Sequence, residues 1–137
     1  MDFIEQAIYH GYASEAYTII TDDGYVEQIF RLPGKIGDEN IPLKGKKAEK
    51  PAVLMLHGLE CDLNFWTINS PDKTPAYVLV EQGYDVWLAN NRGTRYGMGH
   101  VSLTPDSEEF WDFNYEQYGM HDLPAYIDFI LEMTGQE

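Results

Sequence analysis

The stretch Ala52-Val-Leu-Met-Leu-His57-Gly58-Leu59 decides the fold of this chain. Its apolar residues do not alternate with polar ones, which predicts a strand buried on both faces, as in a parallel sheet. The strand ends abruptly at His57-Gly58, where glycine lets the backbone turn at a point at which a side chain would clash. The residues alone leave two interpretations open. One is a core strand with a turn glycine, and the other is a junction that presents backbone N–H groups to a developing negative charge.

The residues before this stretch predict an antiparallel hairpin. Tyr17–Thr21 and Tyr25–Leu32 are rich in β-branched and aromatic residues, and Asp22-Asp23-Gly24 separates them. Asp-Gly at such a junction is a strong hairpin signal, because glycine supplies a positive φ. Residues 33–50 follow, with five lysines and no hydrophobic period, and they predict an exposed basic loop.

The residues after the central stretch predict a crossover helix and a second parallel strand. Thr74-Pro75 is typical of a helix start, and Gly83 is typical of a helix end. Asp85–Ala89 then predicts the next strand, so that strand, helix and strand form one parallel unit. A last helix is predicted with Asp122 as its N-cap, Pro124 in its first turn and Gly135 at its end. Its apolar face would be formed by Leu123, Tyr126, Ile127, Ile130 and Met133.

Six segments of the chain occur in an order and at spacings that resemble the acid lipase family, the gastric and lysosomal lipases and steryl ester hydrolases. They are His10-Gly-Tyr-Ala-Ser-Glu-Ala-Tyr17, Thr21-Asp-Asp-Gly-Tyr25, His57-Gly-Leu59 with Asn64-Phe-Trp66, Glu81-Gln-Gly-Tyr-Asp-Val-Trp-Leu-Ala-Asn-Asn-Arg-Gly93, Pro105-Asp-Ser-Glu-Glu-Phe-Trp-Asp-Phe113 and His121-Asp-Leu-Pro-Ala-Tyr-Ile-Asp-Phe-Ile130. The resemblance runs from about Ile8 to Glu137. It implies that residues 1–137 are the N-terminal portion of an α/β-hydrolase fold with an incomplete sheet.

The resemblance also implies roles for a few residues. The backbone N–H of Leu59 would belong to the oxyanion hole, His57 and Gly58 would shape the loop that carries it, and Trp66 is a candidate for lining the acyl pocket. The family is made up of carboxylic ester hydrolases whose serine lies in Gly-x-Ser-x-Gly. None of Ser14, Ser70, Ser102 and Ser107 lies in that motif. The nucleophile, the acid and the base are therefore expected outside this chain, which we expect to be inactive alone.

Two functions remain open at this point. The chain could be an N-terminal fragment or split subunit of an ester hydrolase of lipid metabolism, or an inactive lipase-derived scaffold subunit of a larger assembly. In either case the strand Ala52–His57 would lie at an open sheet edge, and we expect another protein chain to pair with it, for example the C-terminal lipase portion. A lipid ester would be a substrate only of the completed enzyme.

Composition excludes several other classes of function. The net charge of −14 argues against nucleic acid or an anionic membrane surface as a partner. The four histidines are isolated in sequence and there is one cysteine, so neither a metal site nor a cofactor is expected. There is no apolar run long enough for a transmembrane helix. No signal peptide and no Asn-x-Ser/Thr sequon is recognisable, which favours an intracellular or organellar location over a secreted or lysosomal one.

Arg92, in the loop after the second parallel strand, has two interpretations. Ligands of open α/β sheets bind beyond the carboxyl ends of the strands, so Arg92 could contact a ligand. The interpretation that we favour is a structural pair with a carboxylate, because arginine orders loops through forked hydrogen bonds.

Overall fold

The computed structural model describes residues 1–41 and 48–137. Within these ranges the chain forms a mixed sheet with helices on both faces. The strands are β1 (Glu15–Ile20), β2 (Tyr25–Leu32), β3 (Ala52–Met55), β4 (Asp85–Leu88) and β5 (Gly99–His100). The α-helices are α1 (Phe3–Tyr9), α2 (Pro75–Glu81), α3 (Tyr115–Gln117) and α4 (Leu123–Thr134). Short 3₁₀ turns cover Leu63–Trp66, Pro71–Lys73 and Glu108–Trp111, and a π-helical turn covers Tyr118–Asp122.

The predicted hairpin is confirmed. β1 and β2 pair antiparallel along their lengths, and Gly24 between them has a φ of 95°. The first strand begins at Glu15, two positions before its predicted start, because Glu15 pairs with Arg31. β2 continues the sheet by pairing antiparallel with β4, and β5 pairs with the beginning of β2.

The parallel unit is also confirmed, with β3 at the edge of the sheet. β3 and β4 pair in parallel from Ala52–Asp85 to Met55–Leu88. The strand order is β1-β2-β4-β3, so β4 is central and the outer side of β3 is unpaired in the described residues. All four residues of β3 are half-buried. The prediction of a strand buried on both faces was wrong for this reason, whereas all four residues of β4 are buried.

The two faces of the sheet carry separate hydrophobic cores. On one face α1 and α2 pack against β2 and β4, around residues such as Phe3, Tyr77 and Leu88. On the other face α4 packs against the same strands, around Trp87 and Tyr126. The alternation of side chains in β2 and β4 supplies both cores from the same strands.

The helix boundaries agree with the prediction, but the side chains at the two helix starts make no capping hydrogen bond. α2 begins at Pro75 and Gly83 follows it with a φ of 90°, while Gly135 follows α4 with a φ of 65°. Thr74 takes the predicted N-cap position of α2 with an extended backbone, but its hydroxyl donates to the carbonyls of residues 69 and 70 and caps no helix N–H. Asp122 does not cap α4 either, since it has helical φ and ψ and its carboxylate binds Arg92.

The predicted apolar face of α4 is correct except at Ile127. Tyr126 and Ile130 are buried in the core, and Leu123 and Met133 are partly buried. Ile127 is exposed, and Phe129 packs against the core instead. None of the helices in the described ranges has the length and apolar character needed to cross a bilayer.

The predicted basic loop 33–50 lies partly outside the described residues, because 42–47 are not described. In the described part, residues 35–38 are exposed. Asn40 is buried and bonds Lys50 on the far side of the loop, with 3.0 Å between the Lys50 nitrogen and Asn40 Oδ1. Lys35 and Lys50 form ion pairs with Glu81 and Asp38.

Candidate functional site

The loops that follow β3 and β4 meet beyond the carboxyl ends of these parallel strands. The end at which they meet is the one where open α/β sheets bind ligands. His57, two residues after the end of β3, joins the two loops. Its Nε2 lies 3.2 Å from the backbone nitrogen of Asn91, and its Nδ1 lies 2.8 Å from the carbonyl oxygen of Gly58.

These two contacts define the state of the His57 ring. The Asn91 N–H can only donate, so Nε2 accepts and carries no proton. Nδ1 therefore carries the proton and donates it to the Gly58 carbonyl. Both ring nitrogens are used in a neutral side chain with 8% exposure. His57 thus braces the loop, and its ring has no free nitrogen with which to act as a base.

The Leu59 N–H is free of hydrogen bonds to the described residues. The next residue, Glu60, has a φ of 57° and is the one non-glycine residue of the described ranges in the left-handed region. Such a conformation costs about 1–3 kcal/mol and is concentrated at functional sites. The Gly58 carbonyl closes the turn by accepting from His57 Nδ1 and from the Cys61 N–H, at 3.3 Å.

Gly58 is not required for the reason that we predicted. Gly58 does not have a positive φ, and a Cβ built on it would meet no described heavy atom within 4 Å. The sharp change of direction is made at Glu60 instead. Gly58 contributes its carbonyl oxygen to the turn, and any residue type would present that atom.

A cavity of about 660 Å³ opens beside Leu59. Its apolar lining comes from two parts of the chain, namely Leu59, Phe65 and Ile68 on one side and Trp111, Phe113 and Tyr118 on the other. The size and apolar lining fall within the range of small-molecule sites. Arg95 also lines this cavity and is exposed.

Trp66 lies next to the cavity lining in sequence, but its side chain is directed into the fold. It packs against the core formed by α1 and α2, and its indole N–H is buried without an acceptor among the described residues. Phe65, its neighbour, lines the cavity and is 54% exposed. The assignment of Trp66 as a substrate contact remains a prediction, with Phe65 better placed for that role.

Arg92 is buried and forms a structural pair, as the favoured interpretation predicted. Its Nε and Nη2 donate to Asp122 Oδ1 at 2.8 and 2.7 Å. Its Nη1 and Nη2 donate to Asp23 at 2.6 and 2.8 Å, and the guanidinium lies 3.9 Å above the ring of Tyr25. Arg92 also borders the cavity. Burial acts against the charge of Asp23, but hydrogen bonds from Arg92 and Thr21 outweigh it and lower the Asp23 pKa to about 2.

Glu27 and Tyr126 lie beside this arginine, and nothing in the sequence marked them as functional residues. Glu27 is fully buried on β2 and Tyr126 is fully buried on α4. The Tyr126 hydroxyl contacts both Glu27 Oε2 and the Asn90 carbonyl. Burial, and next the charge of Asp122, raise the Glu27 pKa to about 9. The one available signal was a glutamate at an inward position of a strand, since buried carboxylates are rare.

Among the described residues there is one cluster of metal-ligand types, which the isolated positions in sequence did not predict. Asp22, Asp23 and His121 place one ligand atom each within 4.8 Å of one another at the surface. His121 Nδ1 lies 2.6 Å from Asp22 Oδ1. Both carboxylate oxygens of Asp23 already accept from Arg92, so a cation there would compete with a buried ion pair.

A serine and a histidine also come close at Ser102 and His100, with 3.4 Å between Oγ and Nδ1. The same Nδ1 accepts the backbone N–H groups of Ser102 and Leu103, at 3.1 and 3.0 Å. The histidine therefore closes a surface turn. The arrangement is not one in which a base activates a nucleophile.

Comparison with known proteins shows that this chain is similar to part of several lipases. A family model described as a partial alpha/beta-hydrolase lipase region matches residues 3–70. Gastric triacylglycerol lipase of Mus musculus is 41% identical over 138 residues, covering 100% of this chain and 33% of the relative. Lipase member K of Homo sapiens is 42% identical over 129 residues, covering 94% and 31%. Gastric triacylglycerol lipase of Homo sapiens is 38% identical over 137 residues. The chain spans about a third of the length of the curated relatives that it matches.

Proposed function

Because the chain belongs to the acid lipase family and matches its N-terminal part, we propose that it supplies the oxyanion loop of a carboxylic ester hydrolase that acts on lipid esters. The observation that carries this proposal is the Leu59 N–H, which is not bonded to the described residues and lies beside an apolar cavity at the carboxyl end of the parallel strands. The Leu59 residue as a whole is 63% exposed.

The chemistry follows from the charge that forms during acyl transfer. When a nucleophile attacks an ester carbonyl, the carbonyl oxygen becomes negative. An N–H group held in place before the reaction stabilises that oxygen without reorganisation, and losing one such donor costs about 3–4 kcal/mol of barrier. His57 holds the loop to the backbone of Asn91, which limits the movement of the donor. The apolar side chains of the cavity would accept the acyl chain.

The nucleophile in this proposal comes from a separate segment that pairs with β3. The outer side of Ala52–Met55 is unpaired in the described residues. A strand added there, along Ala52–His57, would cover the edge and bring its own carboxyl end next to Leu59. We infer that this strand carries Gly-x-Ser-x-Gly, either further along the same polypeptide or in a partner chain. The second oxyanion donor would be the N–H of the residue after that serine.

The test compares two substitutions of Leu59 in the complete hydrolase, meaning residues 1–137 together with the polypeptide that carries the serine. Leu59→Pro removes the N–H, and Leu59→Ala keeps it while shortening the side chain. We expect Leu59→Pro to lower kcat about 10²- to 10³-fold on a long-chain ester, the cost of one lost oxyanion donor. Leu59→Ala should retain most of kcat and change mainly KM. The measurement is steady-state hydrolysis of chromogenic acyl esters.

Equal kcat values for the two variants would contradict the role of the N–H. Before that comparison, each variant should show the far-ultraviolet circular dichroism of the wild type, so that unfolding is excluded. A complex that forms on the β3 edge but hydrolyses no ester would favour the alternative function, an inactive scaffold subunit.

A further inference from the structure

We propose that Glu27 is a positioning residue that the fold holds as a neutral carboxylic acid, and that it fixes, through Tyr126, the loop junction on which the Leu59 N–H depends. This inference rests on the proposed function in one respect only, the role given to Leu59. Glu27 and Tyr126 would touch neither substrate nor reacting atoms.

The number of hydrogens at Tyr126 requires a donor at Glu27. The Tyr126 oxygen contacts Glu27 Oε2 and the carbonyl oxygen of Asn90. A phenol has one hydrogen, and a carbonyl oxygen can only accept. Both contacts are hydrogen bonds when the Tyr126 hydroxyl donates to Asn90 and a protonated Glu27 donates to the Tyr126 oxygen. With an ionised Glu27, one of the two contacts would place two acceptors against each other.

The charges around Glu27 also favour the neutral acid. Glu27 has 0% exposure, and its Oε1 has no hydrogen-bond partner in the described residues. The nearest cationic atom is Arg92 Nε, at 4.0 Å. Arg92 is already shared by the carboxylates of Asp122 and Asp23. A third carboxylate would be a buried charge without a counter-ion, which is costly enough that such groups take up a proton instead.

The groups that face Glu27 come from every element packed against it. Arg92 comes from the loop after β4, Asp122 from the π-helical turn and Tyr126 from α4. Asp23, at the hairpin turn, acts through Arg92. Burial, then the charge of Asp122, raise the pKa of Glu27. Burial is the largest cause that raises the pKa of Tyr126, so the phenol also stays protonated.

Asn90 connects the Glu27–Tyr126 pair to the loops of the candidate site. Its carbonyl accepts from Tyr126, its side-chain Oδ1 accepts the Leu63 N–H at 3.0 Å, and its Nδ2 donates to the Gln28 carbonyl at 2.9 Å. The residue is fully buried and therefore has no water to replace these partners. Fixing Asn90 fixes the end of β4 and the turn that begins at Leu63.

Asn91 completes the connection to Leu59. Its N–H donates to His57 Nε2, and the other side of the His57 ring holds the Gly58 carbonyl. The peptide group between Gly58 and Leu59 consists of that carbonyl and the Leu59 N–H. Rotation of this peptide would reorient the Leu59 N–H. Loss of the Tyr126 bridge is therefore expected to release the donor without removing any group that contacts substrate.

The experiment uses two substitutions and one matched control. Tyr126→Phe removes the bridging hydroxyl, and Glu27→Gln replaces the acid by an amide that still donates. Tyr12→Phe is the control, because Tyr12 is also buried and also donates to a glutamate, Glu81, at 2.8 Å, but on the opposite face of the sheet. The readout is the amide resonances of Leu59, Leu63 and Asn91 in protein labelled with ¹⁵N-leucine and ¹⁵N-asparagine.

We expect Tyr126→Phe to shift these three resonances, and Tyr12→Phe and Glu27→Gln to leave them near their wild-type positions at pH 7. Unmoved resonances in Tyr126→Phe would overturn the positioning role. A shift in Glu27→Gln as large as that in Tyr126→Phe would overturn the neutral acid. If Glu27→Gln does not fold, infrared spectra of the wild type decide: a carbonyl band of a buried protonated carboxyl at pH 7 supports the inference, and its absence refutes it.

Kinetics of the complete hydrolase then separate positioning from general structure. Tyr126→Phe should lower kcat about tenfold and leave KM within about twofold, since a small misplacement of a catalytic group reduces the rate rather than binding. Wild-type kcat should fall as the pH rises through the Glu27 pKa of about 9, and Glu27→Gln should lack this fall. The amide and infrared readouts require no turnover, so an inactive assembly would contradict the proposed function and leave this inference to be judged separately.

Discussion

Arg31 and Arg92 are both buried, and both pair with a fully buried aspartate. Arg31 donates from Nε to Asp85 Oδ1 at 2.9 Å and from Nη2 to Asp85 Oδ2 at 2.7 Å, whereas Arg92 donates from the same two nitrogens to a single oxygen, Asp122 Oδ1. Each also reaches a second, more exposed carboxylate, Glu15 for Arg31 and Asp23 for Arg92. The clusters lie toward opposite ends of β2, with Asp85 at the start of β4 and Arg92 beyond its end.

The difference between the clusters is a third acidic group. Around Arg31 the additional contacts are amides: Asn40 Nδ2 donates to Asp85 at 2.8 Å, and the Asn40 carbonyl accepts from Arg31 at 2.7 Å. Around Arg92 the corresponding place is taken by Glu27. The Arg31 cluster holds the strands to the loop that contains Asn40. The Arg92 cluster carries a proton on Glu27 and connects to the loops of the candidate site. Similar ion pairs can therefore serve different purposes in one small fold.

The largest expected effect is the loss of either arginine. Arg92→Gln leaves Asp122 buried without a cation and takes away the two hydrogen bonds that Asp23 accepts from the guanidinium, so we expect it to destabilise the fold by about 3–5 kcal/mol. Arg31→Gln should fall at the lower end of this range, because Asp85 keeps its bond from Asn40. Urea unfolding followed by tryptophan fluorescence measures both, with the exposed Arg95→Gln as control. A larger loss for Arg31→Gln would reverse the comparison.

The pH dependence of stability should distinguish the two clusters. The Glu27 pKa is raised to about 9 in the fold from its ordinary 4.5, so between these values the folded state binds a proton that the unfolded state does not. This contribution is complete below pH 4.5 and is lost as the pH rises through about 9. The wild type should therefore lose about 1.4 kcal/mol per pH unit in this window relative to Glu27→Gln. Parallel curves for the two proteins from pH 6 to pH 8 would show that Glu27 is ionised.

The smallest effects are expected at the two peripheral carboxylates. Asp23→Asn should cost about 1–2 kcal/mol, because it weakens two charge-assisted bonds to a buried guanidinium. Glu15→Gln should cost less than about 1 kcal/mol, since its side chain is 37% exposed and solvent screens the pair. The Asp23 contribution is present above pH 3.8 and disappears as the pH falls through about 2. Thermal unfolding at pH 7 and pH 2.5 measures both variants, and equal losses would show that burial does not separate these pairs.

Much of the fold was predictable from local patterns. Gly24, Gly83 and Gly135 each take a positive φ at the predicted turn or helix end. The strand at Ala52 and its parallel partner were predicted from composition and order, and the Leu59 loop was predicted by resemblance to a family. One prediction that failed concerns a residue whose partner is distant in sequence. Asp122 looked like a helix cap, and it binds an arginine 30 positions away.

The pattern of apolar residues and turn residues was enough to specify strands, helices and their order, because these depend on each residue and its near neighbours. The chain alone also showed that Gly-x-Ser-x-Gly is not within residues 1–137. The state of Glu27, the tautomer of His57 and the freedom of the Leu59 N–H could be read from the folded arrangement alone. Each of them depends on which groups come into contact across the sheet. Because these contacts are buried away from water, they strongly affect protonation and hydrogen bonding.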